Sequence, residues 1–219
     1  RVGVLIMKTA TLLAGTVLAL ASGFAQAEPS SKLAWTPETL AAIKKGDTAK
    51  GKVIAESCAS CHANGGQFPY LDGQLAPYLY KQLHDYKDGS RANPIMTGLV
   101  AGLSAEDMAH VAVYYSQQDI PSPPKAEKAS EAAEVLVKEG DSRRILPPCA
   151  ACHEASGTGQ KIDVPAIAGQ NAAYLEQTLH DYKSGARKND LYGRMRDITR
   201  QLSEEEIKEV ARYYAGLGR

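Results

Sequence analysis

The chain has 219 residues, enough for one medium domain or two small ones, and its 25 Lys+Arg balance its 25 Asp+Glu. That balance leaves no basic footprint for nucleic acid and no polybasic patch for a membrane surface. Function must therefore be sought in motifs.

Taken in order, the chain shows Lys8, an apolar run from Ala10 to Leu20 and the small-x-small triplet Ala25-Gln26-Ala27. This pattern predicts a secretory signal peptide at 1–27, cleaved after Ala27, with Met7 as the natural start. The run is shorter than the roughly 18 to 20 residues a spanning helix needs, and no other segment is apolar enough to span. Removing Arg1 and Lys8 leaves 23 basic against 25 acidic residues, a net charge of −2. The mature protein is expected in a bacterial periplasm.

Residues 28–46 read as an extension with its own short helix. Thr36 is an N-cap, Pro37 suits the first helical position, Trp35 can staple onto Leu40 and Gly46 ends the turn. A second helix from Asp47 to Ser57 leads into Cys58-Ala59-Ser60-Cys61-His62, and the same pentapeptide returns as Cys149-Ala150-Ala151-Cys152-His153. C-x-x-C-H is the attachment signature for c-type haem. Two thiols at this spacing can each form a thioether to one of the porphyrin's two vinyl groups, and the adjacent imidazole is then held under the iron as its proximal ligand. A structural zinc site would place its second C-x-x-C about 15 to 20 residues after the first, whereas these begin 91 positions apart, at 58 and 149. A thioredoxin-like pair needs a βαβ setting, and no strand-like alternation flanks either motif. A disulfide framework leaves the doubled histidine unexplained.

Beyond the motifs the two halves run in register. Pro69-Tyr70-Leu71-Asp72-Gly73-Gln74 and Pro165-Ala166-Ile167-Ala168-Gly169-Gln170 are offset by 96, as are Leu83-His84-Asp85-Tyr86-Lys87 and Leu179-His180-Asp181-Tyr182-Lys183, and Asn93 and Asn189. This is a tandem duplication. Each half should hold an amphipathic helix ended by Gly89 or Gly185, an irregular loop with one methionine, and a last helix opened by Ser104 with Asp107 or Ser203 with Glu206. In the second half a helix over 128–139 is followed by Gly140 and an insertion closed by Pro147-Pro148, which delays Cys149. Ile120-Pro121-Ser122-Pro123-Pro124 marks a stiff linker.

Each iron needs a second axial ligand or an open site. Met108 aligns with Ile207 and reads as a packing residue, while His110 aligns with Glu209 and reads as a solvated face. Met96 falls on Met195, so these two are the expected thioether ligands. His84 and His180 compete because both halves have one, although a surface polar role is more ordinary for them. Pro69 and Pro165 follow the motifs at similar distances, where their carbonyls could accept the second ring N–H of the proximal histidine or the prolines could simply turn the chain.

These features together resemble the dihaem cytochrome c4 family, and are similar to the dihaem cytochrome subunit of flavocytochrome c sulfide dehydrogenase. The resemblance runs from about Asp47 to Leu217. It implies an all-α chain of two tandem class I cytochrome c domains at 47–119 and 128–219, joined by a linker at 120–127, each wrapped around one covalent haem c. Thioethers would come from Cys58, Cys61, Cys149 and Cys152. Axial pairs would be His62 with Met96 and His153 with Met195, and Pro69 and Pro165 would accept from the proximal histidines. The implied role is a periplasmic carrier moving single electrons between a donor dehydrogenase or quinol-oxidising complex and a terminal oxidase, with no bond chemistry of its own. The alternatives are an electron-accepting subunit of a sulfide- or thiosulfate-oxidising enzyme, or a dihaem peroxidase-like enzyme. The insertion before Cys149 and the unequal loops after His62 and His153 predict two unequal haem environments.

Overall fold

The computed structural model describes residues 31–63, 68–119, 128–160 and 162–218. The expected leader at 1–27 and the linker at 120–127 lie outside the described residues. Among those described there are ten α-helices, two short 3-10 turns and no strand.

Local chemistry sets the helix ends. α1 (Pro37–Lys44) starts on Thr36, whose side chain accepts the Thr39 N–H. α2 (Thr48–His62) starts on Asp47 and continues through the first C-x-x-C-H, where the sequence suggested an end at Ser57. Nothing in Cys-Ala-Ser-Cys-His breaks a helix, and Ala59 favours one. α3 (Ala76–Asp88) ends on Gly89 at φ 81°. The methionine segment that follows is a short helix rather than a loop: α4 (Pro94–Val100), with Pro94 in its first turn and Asn93 capping Met96 N–H. α5 (Ala105–Ser116) opens with a complete Ser104–Asp107 capping box.

The second half repeats this order. α6 (Glu131–Glu139) precedes the insertion, a 3-10 turn over Ser142–Arg144, and α7 (Ala150–His153) carries the second motif. α8 (Ala172–Ser184) ends on Gly185 at φ 79°. α9 (Arg194–Thr199) holds Met195, and α10 (Glu204–Ala215) opens with the Ser203–Glu206 capping box.

Two hydrophobic cores form, one in each half. In the first, α5 lies against α2 and α3 and buries Met108, Val111, Ala112 and Tyr115 against Ala55 and Leu79, while α1 adds Ile43. In the second, α10 buries Ile207, Val210, Ala211 and Tyr214 against Leu136, Val137 and Leu175. Each such large apolar side chain is worth about 1.5–3 kcal/mol when fully buried. Met108 is a packing residue, as its alignment with Ile207 predicts.

His110 departs from its expected solvated face: it is 4% exposed. Its Nδ1 accepts the N–H of Asp47, the N-cap of α2, at 2.8 Å. Glu209 does the same for Ser130, the N-cap of α6, at 2.7 Å. The position braces the first helix of each half, so its polarity answers a tertiary hydrogen bond rather than water.

A polar seam joins the halves with near-twofold reciprocity. Gln74 donates to Ala166 O at 2.8 Å and accepts from Ala166 N at 2.9 Å. Gln170 donates to Tyr70 O at 2.9 Å and accepts from Tyr70 N at 2.8 Å. Arg91 donates to Tyr174 Oη at 3.3 Å and Arg187 to Tyr78 Oη at 3.1 Å. Such mutual contacts are what a duplicated pair related by a twofold axis makes. One feature is unpaired: Lys81 and Asp85 form an ion pair, 3% and 0% exposed, that reaches Asn189 of the other half through its carbonyl and its amide.

Candidate haem-binding sites

Because α2 is helical through the motif, Cys58, Cys61 and His62 stand three and four residues apart on one helix, which places them on one face. Cys58 and Cys149 are half-buried, Cys61 and Cys152 exposed, and all four are free thiols. Burial pushes the Cys58 thiol up and the Cys149 thiol to about 11. Neither presents the low-pKa thiolate that a redox-active C-x-x-C uses.

Each motif histidine is oriented by a carbonyl. His62 Nδ1 lies 2.8 Å from Pro69 O, and His153 Nδ1 lies 3.0 Å from Pro165 O. A carbonyl can only accept, so Nδ1 carries the proton and Nε2 keeps the lone pair. Burial holds both imidazoles below the ordinary histidine range, partly offset by these carbonyls. Neutral rings with a fixed tautomer are what a metal needs of histidine.

The methionines occupy matching elements with different local support. Asn93 Oδ1 accepts from Met96 N at 3.0 Å. In the second half three extra residues form the 3-10 turn Leu191–Gly193, in which Tyr192 and Gly193 take φ 60° and 69°. That insertion frees Asn189, which is buried in the seam and donates to Gln82 and Asp85. Asp190 anchors α9 instead, accepting from Arg196 N at 3.1 Å and from Arg196 Nε at 2.8 Å. Of the competing histidines, each about one-third exposed, His180 Nδ1 lies 3.2 Å from Glu204, whereas His84 Nδ1 lies 3.4 Å from Asp88 without forming a hydrogen bond.

Two further observations fit haem. Ile95 and Leu99, flanking Met96, are 65% and 56% exposed, the kind of apolar surface that a porphyrin covers. Arg91 and Arg187 carry two positive charges into the seam, where among the described residues their guanidinium hydrogen bonds go to tyrosine hydroxyls and side-chain amides. Buried charges call for counter-ions, and haem propionates could supply them. The sequence reading missed these arginines and both interface glutamines. Their signal was present, as polar residues repeated at the 96-residue offset.

Two helical halves, each with a C-x-x-C-H turn, an oriented imidazole and a methionine helix, define a tandem class I c-type cytochrome with covalent haem c. Haem supplies a one-electron iron couple, the chemistry of electron transfer. A cytochrome c family model matches residues 144–217. Cytochrome c4 of Pseudomonas aeruginosa is 36% identical over 179 residues, covering 78% of this chain and 89% of that protein. The thiosulfate dehydrogenase electron acceptor of Stutzerimonas stutzeri is 39% identical over 175 residues, covering 75% and 80%. The crystal structure of reduced recombinant cytochrome c4 from Pseudomonas stutzeri has a TM-score of 0.73 at 32% identity, covering 79% of this chain and all of that one. The chain belongs to the dihaem cytochrome c4 family. Among the described residues no helix is long and apolar enough to cross a membrane.

Proposed function

We propose that this chain is exported to the bacterial periplasm and there carries single electrons, one per haem, between a donor dehydrogenase or quinol-oxidising complex and a terminal acceptor such as an oxidase. Residues 47–119 and 128–219 act as its two domains. Cys58, Cys61, Cys149 and Cys152 attach the haems, His62 with Met96 and His153 with Met195 are the axial pairs, and Pro69 and Pro165 orient the proximal rings. The observation that carries this reading is the matched methionine on a short helix just before the last helix of each half. A thioether at both irons leaves no position for a substrate and raises the potential, which disfavours a peroxidase. The test is the weak near-red absorption of the ferric holoprotein, which reports methionine sulfur on iron. It should correspond to two ligands and halve in Met96→Ala and in Met195→Ala. A band that survives intact in either variant rules out that ligand.

A second reading, favoured by the 39% identity to the thiosulfate dehydrogenase electron acceptor of Stutzerimonas stutzeri, makes the donor a thiosulfate-oxidising enzyme. Anaerobic mixing with such an enzyme and thiosulfate should then reduce both haems within its turnover time. Persistence of the ferric spectrum would exclude that donor.

A further inference from the structure

Where two repeats agree so closely, a chemical difference between them at a half-buried position stands out. Asp72 is the fourth residue of its Pro-x-x-x-Gly-Gln segment, and the 96-residue offset puts Ala168 in that place in the second half. Asp72 lines a cavity of about 420 Å³ walled by Ala55, Ala59, Ala63 and Tyr115, with Lys52, Glu56, Tyr114, Gln118 and Asp119 also bordering it. Ala63 N donates to Ala59 O at 3.0 Å, closing the helical turn that contains Cys61 and His62. Asp72 therefore lines the same space as Ala59 and Ala63, the residues that bracket this turn. Burial raises its acid from the ordinary aspartate value. Ala168, by contrast, is 0% exposed. A methyl placed on Gly157 would meet its Cβ at 2.9 Å, so Ala168 is packed tightly against the loop after His153.

We infer that Asp72 sets the two haems apart electrically, its carboxylate stabilising the ferric state at the His62 site and lowering that haem's potential relative to the His153 site. A ferric haem carries one more positive charge than a ferrous one, so a nearby anion favours the oxidised form. Coulomb energies grow as water is excluded. The other charged groups around the cavity, Lys52, Glu56 and Asp119, are exposed, so salt screens them more than it screens the half-buried Asp72. The inference uses the attached haems and does not depend on the identity of the redox partners. A change of sixth ligand would shift wild type and variant alike, so the difference between them still isolates Asp72.

The experiment is spectroelectrochemical titration of the dihaem holoprotein, with each haem followed by its own methyl NMR signals, for wild type, Asp72→Asn and Asp72→Glu. In Asp72→Asn the first haem should become easier to reduce, shifting the partition of one electron between the haems by up to about tenfold, or about 59 mV. The second haem should move by much less, and Asp72→Glu should keep the wild-type partition. Unchanged potentials in Asp72→Asn would overturn the inference. So would equal shifts at both haems, a larger shift at the second haem, or the same shift in Asp72→Glu.

Discussion

Gln74 holds both backbone polar groups of Ala166, 92 positions further along the chain, and Gln170 holds those of Tyr70 in return, 100 positions back. Each side-chain amide satisfies one buried N–H and one buried C=O across the seam, groups that cost about 1–3 kcal/mol apiece when left unpaired. Gln74→Ala should therefore destabilise the two-half assembly by about 2–4 kcal/mol and speed proteolysis between the halves. Gln170→Ala should do the same. The double variant should cost less than the sum, because the first loss already loosens the shared seam. Urea denaturation and limited proteolysis of the holoprotein measure both effects, and strictly additive costs would show that the two clamps act independently.

Gly51 sits in the middle of α2, where helix propensity alone predicts that alanine gains about 1 kcal/mol. The packing predicts the opposite sign. A Cβ there would lie 2.1 Å from His110 O and 2.8 Å from Tyr114 Cβ. Backbone cannot move aside as a flexible side chain can, and overpacking typically costs about 1–3 kcal/mol. Gly51→Ala should lower the thermal midpoint of the first half, and a raised midpoint would show that α2 and α5 can separate without penalty.

Glu206 ties the insertion before the second haem motif to α10. It accepts from Arg144 at 2.7 and 3.1 Å and closes the capping box on Ser203 at 2.8 Å. The Arg144 guanidinium first, and the Ser203 N–H with it, hold its carboxyl down to about 2 from 4.5. The folded state thus binds fewer protons than the unfolded one between those values. Its contribution is fully present above pH 4.5 and is lost as pH falls towards 2. In urea titrations against pH, wild type should lose stability over this window more steeply than Glu206→Gln, with the two curves converging near pH 2. Parallel curves would contradict the pairing.

The sequence by itself determined the chemistry and the architecture. Cys58, Cys61 and His62 and their second copy carry the C-x-x-C-H spacing of a covalent haem c attachment signature. Glycine ends and capping boxes are written in residues a few positions apart, so α3, α5, α8 and α10 were legible. Only the tertiary structure decided what meets across long separations. His110 looked solvated because its partner, the Asp47 N–H, is 63 positions away. Asn93 and Asn189 matched in sequence yet serve different ends, since a three-residue turn before Met195 hands the second helix anchor to Asp190. Gln74, Gln170, Arg91 and Arg187 drew no functional reading from the sequence, because their hydrogen-bond partners lie in the other half. A hydrogen bond depends on where two backbones pass in space, and local pattern carries no record of that.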